Sequence, residues 1–113
     1  MAQIQIAGQK YVSAIEFAIQ VLGGKWKMPI IWALKTGPKR YGDLKRRVSP
    51  ITHKMLSKQL KELQEFNLIN REVFEVVPPK VEYSLTAAGK TVIPVIEHFR
   101  VWGLSYTRTH AKP

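Results

Sequence analysis

The chain of 113 residues contains no cysteine and no long apolar run. Without cysteine it can form neither a disulfide nor a thiolate zinc site, and it has no thiol with which to sense oxidants. No apolar stretch approaches the roughly 18 residues of a membrane-spanning helix. The first residues also lack the charged segment followed by an apolar one that marks a secretory signal. We therefore expect a cytoplasmic protein with no membrane partner.

Acidic residues are scarce, since 8 Asp and Glu stand against 18 Lys and Arg, for a formal net charge of +10. This balance attracts polyanions, nucleic acid first and an anionic membrane surface second. The three histidines, His53, His98 and His110, lack metal-ligand spacing and have no carboxylate cluster beside them. No nucleophile–base pair and no phosphate-binding loop is present. We expect one domain with no enzymatic activity, no metal and no cofactor.

The first two thirds of the chain carry helical spacing of apolar residues in four segments. These segments are residues 13–24, 25–35, 41–48 and about 52–66. Ser13 can cap the first helix and a glycine can end it. In the short third helix we expect Tyr41, Leu44 and Val48 to face inward, and the Ser-Pro pair that follows ends it. A short helix, a break and a longer basic helix are typical of a helix–turn–helix.

After residue 66 the apolar period changes from helical to alternating. The segments LINREVFE and VEYSLT predict two strands, joined by an extended VVPPK link. The last segment predicts a helix with a disturbance at residues 89–94. The expected fold is therefore mainly α with a small antiparallel β-hairpin, a winged helix–turn–helix. Its expected divisions are a flexible arm (1–12), a domain (13–108, with recognition helix about 52–66 and wing about 68–86) and a tail (109–113).

The helix over residues 52–66 separates leucines from lysines. At about 100° per residue, Leu60 and Leu63 fall within about 40° of Leu56. Three lysines, Lys54, Lys58 and Lys61, fall roughly opposite, at about 140–200° from Leu56. Residues 39–61 hold eight basic residues against Asp43 alone, a net +7 of the chain's +10.

A solvated helix face is the plain alternative for this lysine side. Solvated faces usually mix charges, however, because like charges four residues apart oppose a helix. Lys54 and Lys58 are such a pair, and a bound polyanion would relieve their repulsion. We therefore interpret the lysine side as a surface for nucleic acid.

In that interpretation the helix enters a DNA major groove and its first turns face the bases. Residues placed for bases or nearby phosphates are Thr52, His53, Lys54, Ser57 and Lys58. Residues placed mainly for phosphates are Lys39, Lys45, Arg46 and Lys61. Lys80 in the hairpin loop and Arg71 on the first strand are candidates of the same kind. Thr52 can equally be the N-cap, His53 can lie against the edge of the core, and Lys80 can be a solvated turn residue.

The sequence as a whole resembles the HxlR-type winged-helix transcription regulators. The resemblance rests on SAIEFAIQVLGGKWKMPIIWAL near the start and on ITHKMLSKQL with VPPKVEYSLT further along. It covers roughly residues 11–106. It implies a dimeric, sequence-specific regulator of double-stranded DNA without enzymatic activity, bound to a near-palindromic operator.

The resemblance also implies that the first and last helices form the dimer interface. The apolar residues of those helices are Ile15, Ile19, Phe99, Trp102 and Tyr106. They exceed what the terminal helices of one small domain need, although they can instead complete the core of the monomer.

Many members of this family carry a cysteine at the position of Ser13, and serine cannot form a thiolate or a disulfide. The thiol sensing of those members is therefore not expected. A candidate pocket for a noncovalent small-molecule effector lies near Trp26, Trp32, Phe99 and Trp102, although these side chains can equally be plain core or interface aromatics. Two rival functions share the charge: a nonspecific nucleoid-type DNA binder, and a basic module that docks an acidic protein.

Overall fold

The computed structural model describes residues 4–6, 8–11 and 13–110, and most of these are helical. The helices are α1 (Ala14–Leu22), α2 (Lys27–Ala33), α3 (Tyr41–Arg47), α4 (His53–Glu65), α5 (Ala87–Lys90) and α6 (Ile93–His110), with one 3-10 turn at Leu34–Thr36. The strands are β1 (Ile4–Ile6), β2 (Gln9–Tyr11), β3 (Lys39–Arg40), β4 (Ile69–Phe74) and β5 (Lys80–Leu85).

The segment before α1 contains a short antiparallel hairpin, in which Ile4 of β1 pairs with Tyr11 of β2. Gly8 has a φ of +78°, a conformation that favours glycine and reverses the chain between the strands. The sequence predicted a loose arm over residues 1–12, whereas the described part of this segment is paired into strands.

The wing belongs to a three-stranded antiparallel sheet with the order β3-β5-β4. Strands β4 and β5 pair from Ile69 with Leu85 to Phe74 with Lys80, as the alternating pattern predicted. Lys39 of β3 pairs with Tyr83 on the other edge of β5. The sequence predicted only the two-stranded hairpin, because a strand of two residues is too short to show an alternating pattern.

The predicted start and end of α1 are confirmed. Ser13 Oγ accepts a hydrogen bond from the Glu16 N–H at 3.1 Å and so caps the helix. The Gly23 N–H donates to the Ile19 carbonyl at 2.7 Å at the other end. A Cβ at residue 23 would overlap that same carbonyl oxygen, so only glycine fits there.

The hydrophobic core lies between α2, α3, α4 and the sheet. Leu56, Leu60 and Leu63 place one whole side of α4 in it, each at most 1% exposed. The core also contains Val21, Ile30, Ile31, Leu34, Leu44, Val48, Ile51, Leu68, Ile69, Tyr83, Val92 and Ile96. Each fully buried leucine contributes about 1.5–3 kcal/mol. Because three of them share one stripe, burial fixes the rotation of α4 about its axis.

A buried ion pair joins α2 to α4. Lys27 Nζ lies 2.9 Å from Glu62 Oε1, and the Lys27 side chain is only 8% exposed. A buried ammonium is stable only with a partner, so Glu62 is required wherever Lys27 is buried. The pair therefore holds the C-terminal half of α4 against α2.

The C-terminal segment bends where the sequence predicted a disturbance. Helix α5 ends at Lys90, and α6 begins at Ile93 with Pro94 in its first turn, where a missing N–H costs nothing. Gly89 is buried beside the Leu68 carbonyl, which a Cβ at residue 89 would overlap. The predicted tail begins inside α6, which reaches His110, and residues 111–113 lie outside the described part of the chain.

We expect Glu62→Gln to lower the free energy of unfolding by about 3 kcal/mol, because it leaves the Lys27 ammonium buried without a charged partner. Urea unfolding followed by circular dichroism measures this. Glu65→Gln is the matched control, since Glu65 is exposed on the same helix, and we expect it to change the free energy by less than about 0.5 kcal/mol. Equal stability of the two variants would show that the pair does not hold α4.

Candidate nucleic-acid interface

The turn between α3 and α4 sets where the recognition helix begins. Ile51 is buried in the turn, and Thr52 Oγ1 accepts a hydrogen bond from the Met55 N–H at 3.1 Å. Thr52 is therefore the N-cap of α4, one of the two roles that the sequence left open. Its side chain is also exposed, and its hydroxyl proton can still be donated to a phosphate.

The lysine face of α4, defined as Lys54, Lys58 and Lys61, is exposed on the side opposite the buried leucines. None of the three lysines forms an ion pair with any residue that the structure describes. The predicted separation of leucines from lysines is therefore present in the structure. The face is a row of ammonium groups on a straight helix, which is the form of a surface that fits a DNA groove.

Tyr41, at the start of α3, contacts the first turns of α4. Its hydroxyl donates to the His53 carbonyl at 3.1 Å and lies 3.2 Å from both His53 Nδ1 and Ser57 Oγ. The two rings stack with centroids 5.7 Å apart. The sequence predicted Tyr41 as an inward residue, and only its ring is partly buried. His53 is exposed and stacks on the Tyr41 ring, which in turn packs against the core.

The basic residues of α3 are arranged around one carboxylate. Asp43 accepts from Arg47 Nε at 3.1 Å and lies 3.6 Å from Arg46 Nη2. Arg46 remains largely exposed, whereas Lys45 is half-buried. Arg47 lies towards α2, beside Pro29. Arg46, a residue predicted to contact phosphates, is therefore exposed, with part of its charge offset by Asp43.

Lys39 is less free than the sequence suggested. Its ammonium donates to Thr36 Oγ1 at 3.1 Å and to the Gly37 carbonyl at 3.2 Å. An ammonium has three donors, so one remains for a phosphate. The hydrogen bonds of Lys39 therefore stabilise the loop before β3.

Lys80, the cation predicted in the hairpin loop, does not lie at the tip of the wing. Lys80 is the last paired residue of β5, opposite Phe74, and its Nζ lies 4.4 Å from the centre of that ring and 3.6 Å from Glu82 Oε2. The tip itself is residues 75–79, with Val77 fully exposed and no basic side chain. Arg71, the other candidate for a DNA contact in the wing, is exposed on β4. The wing therefore offers fewer free cations than the loop sequence indicated.

The apolar residues predicted for a dimer interface are all exposed in the single chain. Their exposed fractions are 70% for Ile15, 63% for Ile19, 57% for Phe99, 66% for Trp102 and 49% for Tyr106. The rings of Trp102 and Tyr106 stack at 5.2 Å between centroids. The alternative, that these residues complete the core of the monomer, does not fit this exposure.

A groove of about 380 Å³ lies between α2 and α6, where the sequence placed a candidate pocket. Its lining residues are Met28, Pro29, Trp32, Ile96, Phe99 and Arg100. Arg100 donates to Glu97 at 2.7 Å and 3.0 Å, and these bonds hold the pKa of that carboxyl below its usual value. Of the three tryptophans named for the pocket, only Trp32 lines this groove. Trp26 packs on the core with Lys25 Nζ 4.7 Å from its ring, and Trp102 is exposed on α6.

Among the residues that the structure describes, no group of histidine and acidic side chains could hold a metal ion. Within the same residues, no helix has the length and apolar character needed to cross a bilayer.

Comparisons with known proteins agree with this geometry. The model of the HxlR-like helix-turn-helix family matches residues 21–111. A helix-turn-helix transcriptional regulator of Methanothermobacter thermautotrophicus is 44% identical over 97 residues, which are 86% of this chain and 74% of that protein. The solved structure of a helix-turn-helix regulator named ytcD has a TM-score of 0.81 at 41% identity, over 86% of this chain and 99% of that chain. The redox regulator HypR in its oxidised form has a TM-score of 0.78 at 42% identity, over 82% and 96%.

The fold and these comparisons define a winged helix–turn–helix DNA-binding protein that regulates transcription. The chain belongs to the HxlR-like helix-turn-helix family. The resemblance identified from the sequence is thereby confirmed.

We expect Lys58→Glu to weaken DNA binding roughly 10- to 100-fold, because a base contact contributes about 1–3 kcal/mol and a reversed charge also repels phosphates. Fluorescence anisotropy with labelled duplexes measures this. A loss that is uniform over all sequences identifies Lys58 as a phosphate contact, and a relaxed preference identifies a base contact.

The matched control is Lys90→Glu, the same change at an exposed lysine on α5, which packs against β5. It should leave affinity nearly unchanged. If Lys58→Glu and Lys90→Glu lowered affinity equally, net charge rather than the face of α4 would determine binding.

Proposed function

We propose that the protein is a homodimeric, sequence-specific regulator that binds a near-palindromic operator on double-stranded DNA. The main support for this proposal is that the lysine face of α4 is exposed opposite three buried leucines. A second copy related by two-fold symmetry would place the two α4 helices in successive major grooves, roughly 34 Å apart. A regulator of this kind acts on the chromosome, in the cytoplasm, and needs no catalytic activity.

In this proposal the residues divide into two groups by position. Side chains in the first turns of α4 face the base edges: His53, Lys54, Ser57 and Lys58. Side chains further from the groove floor hold the phosphates: Lys45, Arg46, Lys61 and Arg71, with smaller contributions from Lys39, Thr52 and Lys80, whose polar groups already have partners in the protein.

The dimer is supported by the exposed apolar faces of α1 and α6. Eight large apolar side chains of these two helices are at least 41% exposed, among them Phe99 and Trp102. So many exposed large apolar side chains on two helices are unusual on a monomer and indicate an interaction site. Both helices would be covered by the same helices of a second copy, which places the two α4 helices at a fixed spacing.

Regulation by a thiol is not part of this proposal. The residue that caps α1 is Ser13, and its hydroxyl is engaged by the Glu16 N–H. A noncovalent effector in the groove beside Trp32 and Phe99 is the candidate for a signal, because that groove joins α2 of the DNA-binding part to α6 of the proposed interface.

Binding to DNA from upstream of the protein's own gene, against random DNA of equal length and across a salt series, tests the function. Tight site-dependent binding whose log affinity falls steeply with log salt is expected. Equal affinity for both duplexes at all salt concentrations would favour a nonspecific nucleoid-type binder. No binding to either, with capture of an acidic protein that nuclease does not disrupt, would favour a protein-interaction module.

We expect Phe99→Glu to halve the molar mass measured by light scattering, because it places a charge in the middle of the proposed α1–α6 interface. Affinity for the full operator should fall with it. Val77→Glu is the control, since Val77 is a fully exposed apolar residue on the wing, and it should leave the mass unchanged. A wild-type protein that is monomeric at micromolar concentration would contradict the dimer.

We expect a thiol oxidant such as diamide to leave operator affinity unchanged, because the chain has no cysteine. A Ser13→Cys variant provides the comparison, since it restores the family's thiol at the same position. Loss of wild-type binding after diamide treatment would show that oxidation reaches the protein by another route.

A further inference from the structure

We propose that the Tyr41 hydroxyl is a positioning group that makes both His53 and Ser57 hydrogen-bond acceptors towards DNA, and so favours adenine or cytosine beneath the first turns of α4. The inference rests on the proposed function, since it requires α4 to lie in a major groove. It goes beyond that function by stating which chemical groups on the bases are selected.

The Tyr41 hydroxyl has more polar contacts than it has protons. The Tyr41 oxygen has three polar neighbours: the His53 carbonyl oxygen at 3.1 Å, His53 Nδ1 at 3.2 Å and Ser57 Oγ at 3.2 Å. Each of these distances is a hydrogen-bond distance, and each hydrogen bond needs one proton between its two heavy atoms. Three contacts therefore need three protons, and the tyrosine supplies one.

The His53 carbonyl oxygen determines the direction of the Tyr41 hydroxyl proton. A carbonyl can only accept, so the tyrosine proton must lie on the line to His53 O. The two lone pairs of the tyrosine oxygen then accept from the other neighbours. His53 must carry its proton on Nδ1, and Ser57 must turn its O–H towards Tyr41.

The proton positions on His53 and Ser57 determine whether the atoms that point away from Tyr41 can donate or accept hydrogen bonds. A neutral imidazole protonated at Nδ1 has a lone pair at Nε2, and a serine that has donated its proton retains acceptor lone pairs. The stacking of the two rings, with an interplanar angle of 8°, fixes the plane of the His53 ring. The contact between Nδ1 and the Tyr41 oxygen selects between the two flipped orientations within that plane. Both side chains are exposed on α4 and are therefore acceptors for whatever lies outside it.

The major groove distinguishes bases by donors and acceptors. Adenine and cytosine offer amino-group donors there, at N6 and N4, whereas guanine and thymine offer only acceptors and the thymine methyl. Two acceptor side chains therefore favour adenine or cytosine on the contacted strand. Without the tyrosine hydroxyl, His53 can adopt either tautomer and Ser57 can donate, so guanine and thymine become acceptable.

Selection from a random duplex library at pH 8 tests the inference with wild type and Tyr41→Phe. Wild type should select adenine or cytosine at the positions beneath the start of α4. Tyr41→Phe keeps the ring and should lose roughly threefold to tenfold of that discrimination, the usual contribution of one hydrogen bond. Preferences at other positions and total affinity for random DNA should stay the same.

Two controls separate positioning from general disturbance. Tyr83→Phe removes a hydroxyl from a buried tyrosine of the sheet and should leave every base preference unchanged. Ser57→Ala should relax the same positions as Tyr41→Phe, and its readout remains available if Tyr41→Phe folds poorly. A purine base in place of the selected adenine, which removes the amino group alone, should weaken wild type more than Tyr41→Phe.

Three outcomes would overturn the inference. The first is a wild-type preference for guanine or thymine beneath the start of α4. The second is an unchanged preference in both Tyr41→Phe and Ser57→Ala. The third, binding without any enriched sequence, would overturn the proposed function and this inference with it.

Discussion

The burial of one side of α4 is the constraint on which the rest of the structure depends. Leu56, Leu60 and Leu63 are at most 1% exposed, and each contributes about 1.5–3 kcal/mol to folding. The like-charged pair Lys54 and Lys58 on the opposite side opposes the helix by only about 0.2–0.5 kcal/mol. Burial therefore dominates, and the lysines are held outward in a conformation that the helix alone would disfavour.

Two contacts fix α4 at its ends, and each joins it to a different helix. The Lys27–Glu62 pair holds its C-terminal half to α2, and the Tyr41 hydroxyl contacts its first turns from α3. The first contact is largely buried and stabilises the fold, whereas the second lies at the surface where DNA would bind. A rigid helix with a defined rotation is what a groove-reading surface requires, because side chains that read bases must be held in place.

The sequence predicted the features that depend on periodicity and caps. The helices α1 and α4, the cap at Ser13 and the pairing of β4 with β5 are local properties, and the structure has them. Thr52 is the N-cap of α4, a role that the sequence left open. The third strand was missed because two residues show no pattern. The free cations were overestimated at Lys39 and Lys80, and the role of Tyr41 was missed, because these depend on contacts between residues distant along the chain. A tyrosine three residues before Leu44 suggested an inward side, and nothing local indicated that its hydroxyl reaches Ser57.

A chain without cysteine allows a direct test of whether α4 lies in the groove. An iron chelate attached to a single cysteine introduced at Lys61, on the lysine face, cleaves DNA close to where the helix sits. The account predicts two clusters of strand cuts, one in each half-site and roughly one helical turn apart. The same chelate attached at Lys90 should give no localised cuts. Cuts from position 90, or none from position 61 while the protein is bound, would contradict the central claim that α4 is the element that enters DNA.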